Sequence, residues 1–449
     1  MRRLTITLAG GLLLGGAALP AQEPARLRTE TYTLPNGLTV VLSEDHSAQV
    51  AAVDVWYDVG SRNERAGRSG FAHLFEHMMF QGSANVKKGE HMQLLERAGA
   101  GFNGSTTEDR TNYFQAVPSN RLNLALWLEA DRMRSLAITD SNFNNQREAV
   151  KEERRLRVDN PPYTRVFFEE TYGAFDSTSC FAYAHSVIGS MDDLNAATTP
   201  DVKGFFDLYY APNNATLVVT GDFQPAEAKR LIEQYFGGIP RGRTPPAVQC
   251  EQPFNTGQRR KHVLDPKANL PAVAQVYRVP SYDDPDMPAL ELLATILGQG
   301  ESSRLNRVLA RDTKAAAAAQ AMLNPFGPRR GPGIFLFFTI ANQGVGTDSL
   351  DKLLAAEIAK VGAGGVSAAE LTKAQNSVRA NLILQRQTAL STAEALHAAR
   401  MFLGSPDAVN TMLDRYLRVT ADDIRRVAAK YLRPDNSYIL TISAENITS

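Results

Sequence analysis

The chain opens on short apolar segments of extended character. Residues 31–34 and 38–42 are divided by Asn36-Gly37, a pair that tolerates the left-handed backbone of a tight reversal, and together they predict a hairpin. Residues 50–59 alternate enough to predict a third strand. The period then changes. Residues 70–83, GFAHLFEHMMFQGS, recur at helical spacing, and a second helix is predicted at 91–98. A strand at 113–117 precedes long helical patterns at 122–135, 143–158 and 226–235. Strands followed by runs of helices point to α+β layers rather than regular β-α-β alternation.

The pattern repeats. HLFEHMMFQGS, starting at His73, aligns with ELLATILGQGE at 291–301, where Gln299-Gly300 matches Gln81-Gly82. Farther on, Thr199-Pro-Asp-Val leads through a helical stretch to YYAPNN and a strand at 216–220. Thr420-Ala-Asp-Asp-Ile leads likewise to YLRPDN and a strand at 438–442. Two anchors at nearly one offset indicate an internal duplication. With 449 residues the chain exceeds one ordinary core. The expectation is two homologous α+β domains, each a mainly antiparallel sheet covered by helices. Their predicted bounds are 29–246 and 253–449, with a polar, proline-rich linker near 241–255.

Composition narrows the function classes. Hydrophobic content of 43% and charged content of 21% are those of an ordinary globular protein. Lys+Arg and Asp+Glu both number 48, which gives no electrostatic case for nucleic acid. Arg2 and Arg3, an apolar run over 4–19 and small residues at 17–21 predict a cleavable signal peptide at 1–21, hence a periplasmic protein without a stable membrane anchor. Cys180 and Cys250 are too few for a disulfide framework, and sequence leaves open whether they pair.

The chemistry concentrates at His73, Glu76 and His77. Positions i, i+3 and i+4 share one helix face, and the surrounding positions Phe71, Ala72, Leu74, Phe75, Met78, Met79 and Phe80 are apolar. Burying three ionisable groups is costly unless they are partnered, and a bound metal ion is one such partner. His-x-x-Glu-His is the inverzincin order. The matching second-half positions are Glu291, Ala294 and Thr295, so the duplicated element does without these residue types. A metal needs a third protein ligand. In NQREAVKEERRLRV at 145–158, Glu148, Lys151, Glu152 and Arg155 form a charged face, while Glu153 shares its face with Ala149, Val150 and Leu156. Periodicity favours Glu153 and leaves Glu152 open. His46, His91, His185, His262 and His397 are isolated and read as structural or surface residues. Gly99-x-Gly101-x-x-Gly104 follows a helix and precedes polar residues, the wrong setting for a dinucleotide loop. No Gly-x-Ser-x-Gly occurs to suggest a serine hydrolase.

Together with GFNGSTTEDRTNYF, HSVIGSMDDL and YYAPNNATLVVTGDF, these residues resemble the pitrilysin-type zinc peptidases over nearly the whole mature chain. That family includes insulin-degrading enzyme, mitochondrial processing peptidase and bacterial periplasmic relatives. The resemblance implies one Zn²⁺ held by His73, His77 and Glu153, since the family's third ligand lies about 76 residues beyond the second His. It implies an endopeptidase acting on peptides or unfolded segments with Glu76 as general base, and Asn103 as a substrate contact on an edge that accepts an extended peptide. Active members also carry an Arg and a downstream Tyr in the second half. Arg311 fits the Arg, but Ala318 stands where the Tyr would be. That departure implies a homodimer, or a heterodimer with a homologous chain supplying Arg and Tyr. A non-catalytic scaffold subunit of the same fold is the alternative.

Overall fold

The computed structural model describes residues 23–252 and 257–444. The signal peptide expected at 1–21 lies outside them. Among the described residues no helix is long and apolar enough to cross a membrane.

The first half runs β1 (Glu30–Thr33), β2 (Thr39–Glu44), β3 (Val50–Tyr57), α1 (Phe71–Met78), α2 (Glu90–Arg97), β4 (Gly101–Thr106), β5 (Thr111–Pro118), α3 (Leu122–Ser135), α4 (Asp140–Arg154), α5 (Thr164–Phe168), α6 (Met191–Ala196), α7 (Thr199–Tyr209), β6 (Ala215–Gly221) and α8 (Pro225–Phe236). The second runs β7 (Arg259–Leu264), β8 (Ala272–Val279), α9 (Met287–Gly298), β9 (Ala316–Leu323), β10 (Gly333–Ala341), α10 (Thr347–Gly364), α11 (Ala368–Leu384), α12 (Ala389–Leu403), α13 (Met412–Leu417), α14 (Ala421–Tyr431) and β11 (Ser437–Ser443).

The sheets are ordered β1-β2-β6-β3-β5-β4 and β7-β11-β8-β10-β9. Apart from the extra β1, the second order repeats the first. β2 runs parallel to β6 as β7 does to β11, and the other neighbours are antiparallel. Val50 and Ala272, Thr111 and Gly333, Thr199 and Ala421, and Ala215 and Ser437 open equivalent elements, always 222 residues apart. The fold is mixed α/β in two similar halves.

The Asn36-Gly37 turn forms with Gly37 at φ 94°, and Asn36 Nδ2 donates to the carbonyls of Phe236 and Ile239, locking the hairpin to the end of α8. β3 departs from expectation. Every residue from Ala51 to Tyr57 is buried, so the strand has no wet face. The cause is an exchange between halves. Ala393, Leu396 and Ala399 of α12 pack on Val41 and Val218 of the first sheet. Reciprocally, Val166, Ala174, Phe175 and Tyr183 pack on Ala272, Ala274, Val276 and Leu336 of the second. Sheets covered on both faces read as continuous apolar runs. Cys180, in that covering segment, is disulfide-bonded to Cys250.

Candidate metal centre

α1 is fixed at its start by an acid outside it. Glu64 accepts from Gly70 N at 2.8 Å and Ala72 N at 2.7 Å, satisfying two otherwise free donors where the helix dipole favours negative charge. His185 Nε2 holds the same carboxylate at 3.0 Å. Gly70 adopts φ 88°, and an added Cβ would meet the Ile188 carbonyl at 2.8 Å, so the helix enters through a position suited to glycine. Phe71, Leu74, Phe75 and Met78 are buried, with Phe75 stacked on Phe205 and its carbonyl accepting from Tyr113 Oη at 3.1 Å. The packed face leaves His73, Glu76 and His77 directed at one cavity.

Glu153, near the end of α4, faces the two imidazoles. Its Oε2 lies 3.1 Å from His77 Nε2 and 3.6 Å from His73 Nε2. One donor atom from each of the three residues lies within 4.8 Å of the others. Tetrahedral coordination with bonds of about 2.1 Å separates neighbouring ligand atoms by about 3.4 Å, so the donor set fits a zinc-sized ion. Arg157, in a π-turn over Arg155–Asp159, holds the other oxygen, Glu153 Oε1, at 3.0 Å and thereby orients the carboxylate. Glu152, left open by periodicity, points to solvent and pairs with Arg155.

Burial, aided by the neighbouring His77, pushes His73 down to about 4, so its imidazole is neutral with a lone pair to offer. Burial opposes charge on His77, but the hydrogen bond and charge of Glu153 outweigh it and raise that pKa. The His77 hydrogen bond in turn holds Glu153 down to about 2. Glu76 is separate from this triangle. Its Oε2 accepts from Thr106 Oγ1 at 2.7 Å, and burial raises its pKa. Gly104 gives it room, since a Cβ there would come within 3.1 Å of Glu76 Cγ.

The cavity measures about 730 Å³ and is bordered by Phe102, Asn103 and Gly104 of β4. Among the described residues β4 pairs only with β5, leaving its outer edge unpaired, and Asn103 is exposed on it. The strand itself was hidden in the sequence by its glycines and polar residues. Arg311 sits exposed in a π-turn over Asn306–Asp312 and does not line the cavity, and Ala318 pairs with Ile340 inside the second sheet. The second half enters the cavity instead through Phe326. Glu64, Thr106, Arg157 and Phe326 escaped sequence reasoning because no local spacing links them to the histidines.

Residues 39–174 match the profile described as Insulinase (Peptidase family M16), and residues 196–378 match Peptidase M16 inactive domain. The chain is 32% identical to the zinc protease PqqE of Helicobacter pylori, over 94% of each protein. It is 24% identical to a probable mitochondrial-processing peptidase subunit beta of Arabidopsis thaliana, covering 90% of this chain and 76% of that one. A solved protease from Helicobacter pylori superposes with a TM-score of 0.88 at 30% identity, covering 93% of this chain and 100% of that one. The periplasmic protease PqqL of Escherichia coli shares the fold at a TM-score of 0.76 and 19% identity, with this chain spanning 49% of its length. On the match to the Helicobacter pylori protease and the two profiles, the chain belongs to peptidase family M16.

Proposed function

We propose that this chain is a zinc-dependent endopeptidase that cleaves peptides or unfolded segments. The carrying observation is the convergence of His73, His77 and Glu153 donor atoms beside a separate carboxylate, Glu76, under an open strand edge. His73 and His77 would hold the ion through nitrogen and Glu153 through Oε2. Zinc bound there supplies Lewis-acid polarisation of the scissile carbonyl and lowers the pKa of bound water toward about 7. Thr106 anchors Oε2 of Glu76, which leaves Oε1 to take a proton from the attacking water and deliver it to the leaving nitrogen. The unpaired edge of β4 accepts an extended peptide by strand addition, with Asn103 beside it.

Export to the periplasm is part of this reading. It is supported by the N-terminal sequence and by the Cys180–Cys250 disulfide, which belongs to oxidising compartments. A second reading concerns assembly. The exposed position of Arg311 and the absence of a tyrosine at position 318 favour a homologous partner chain that completes the site with its own Arg and Tyr. The test is metal analysis of purified protein with peptide cleavage measured before and after chelation, alone and with such a partner. About one zinc per chain and chelator-sensitive cleavage are expected. Metal-free protein that cannot be loaded with zinc would defeat the reading.

A further inference from the structure

Thr106, the hydrogen-bond donor to Glu76 at 2.7 Å, is the last residue of β4. That strand, GFNGST, is a weak support by itself. Its two glycines bring no side chain to pack, and among the described residues it has β5 as its one neighbour. The order of Thr106 therefore depends on the turn that follows it, residues 107–110.

Three separate segments grip this turn. From the loop between β3 and α1, Ser61 N donates to the Thr107 carbonyl at 3.2 Å and Arg62 N to the Glu108 carbonyl at 3.0 Å. Arg62 Nη1 also pairs with Asp109 Oδ1 at 2.8 Å. From the segment covering the second sheet, Tyr172 Oη donates to Glu108 Oε1 at 2.9 Å and Tyr183 Oη to Asp109 Oδ1 at 2.7 Å. From the second half itself, the turn between β9 and β10 crosses over. Arg329 Nη2 donates to Glu108 Oε1 at 2.5 Å, and Arg330 N donates to Asp109 Oδ2 at 3.1 Å.

Burial decides which link between the halves matters most. Arg330 also pairs with Asp58 at 2.8 Å, but both side chains are partly exposed and water screens them. Arg329 and Glu108 are fully buried, so their attraction is barely screened, and each charge needs the other to be tolerated at that depth. Arg329 does not line the metal cavity. Any effect it has on the chemistry passes through the turn.

Resting on the endopeptidase reading above, we propose that Arg329, paired with Glu108, is a positioning residue for the general base. The second half pins the 107–110 turn, the turn fixes Thr106, and Thr106 aims Glu76 at the water it deprotonates. The half that matches Peptidase M16 inactive domain thus shares in the reaction through geometry.

The first measurement is peptide cleavage by zinc-loaded full-length protein. Arg329→Met should lower kcat roughly ten- to hundredfold, the scale of a catalytic group displaced by about 1 Å. KM should stay within about twofold, because no substrate contact is lost. Arg329→Lys should recover part of kcat. Thr106→Val removes the hydrogen bond directly and should be comparably slow. The double variant Arg329→Met/Thr106→Val should be no slower than Thr106→Val, since both changes act through one contact. Zinc content and melting temperature are measured alongside. Arg329→Met/Glu108→Gln, which leaves no unpaired buried charge, replaces Arg329→Met if the latter does not fold. An unchanged kcat in a folded, zinc-loaded variant, a loss carried by KM alone, or losses that multiply in the double variant overturns the proposal.

The second measurement needs no turnover. Amide hydrogen exchange over residues 102–107 should quicken about tenfold in full-length Arg329→Met, with α3 unchanged. Quickened exchange together with a parent protein that cleaves no peptide would sink the endopeptidase reading and leave the hold of Arg329 on Thr106 standing. Unchanged exchange sinks the proposal alone.

Discussion

In the first half, α1 presents His73, Glu76 and His77 to a cavity of about 730 Å³ that Glu153 closes from α4. In the second half, α9 presents Glu291, Ala294 and Thr295 to a cavity of about 510 Å³ lined also by Asn381 of α11. Counted from the capping residues Thr139 and Ser367, Asn381 stands where Glu153 stands. Sheet order and strand pairing match, so the scaffold is common and the side chains differ. The second site solves its burial problem without a donor triangle. Glu291 accepts from Tyr416 Oη, and burial pushes its pKa up to about 7, opposed by that hydrogen bond. One backbone thus tolerates either a converging set of lone pairs or a single buried acid whose protonated form is favoured. The histidines are not a requirement of the fold.

The largest loss is expected at Glu153. Glu153→Ala removes one of three donors, so bound zinc should fall from about one per chain to near none, with peptide cleavage lost and the fold retained, as read by elemental analysis and circular dichroism. Full zinc occupancy in that variant would end the equation of the triangle with a metal site.

Glu76→Gln comes next. It keeps the shape and the hydrogen bond from Thr106 but cannot take a proton. Turnover should drop on the order of 10²–10⁴-fold with zinc unchanged.

A pH experiment separates the halves by sign. Glu291 has a folded pKa of about 7 against an ordinary 4.5, so the native state holds a proton that the unfolded chain has released between those values. Its contribution to stability is present below pH 4.5 and is lost as pH rises toward 7, by up to about 3 kcal/mol. Glu291→Gln should flatten that slope in denaturant titrations at pH 5 and pH 8 and leave peptide cleavage alone. Glu153, held down to about 2, behaves oppositely in the metal-free protein. Its contribution is present above its ordinary pKa and is lost as pH falls toward 2.

The smallest effect belongs to Glu152→Gln. That carboxylate is exposed and, among the described residues, pairs with exposed Arg155, so stability should change by no more than about 0.5 kcal/mol and zinc content not at all.

Features carried by local spacing could be read from the residues alone. The i, i+3, i+4 placement of His73, Glu76 and His77, the extent of α3 over Leu122–Ser135 and the duplication were legible because helices and repeats write themselves as short-range patterns. The face reading that favoured Glu153 is right only in part. Val150 of that face is buried, but Ala149 and Leu156 are exposed. The helix gives way to the π-turn at Arg155, and only the packing against α1 turns Glu153 to the histidines. Features that depend on distant segments meeting emerge only in the folded chain. Thr106 reaches Glu76 across 30 positions, His185 reaches Glu64 across 121, and Arg329 reaches Glu108 across 221. Folding also buried both faces of β3, paired Cys180 with Cys250 and put Phe326, rather than Arg311, at the cavity. The reason is physical: a helix face follows from the backbone's own period, whereas a partner brought by chain crossing is selected by packing and charge pairing that no single segment encodes.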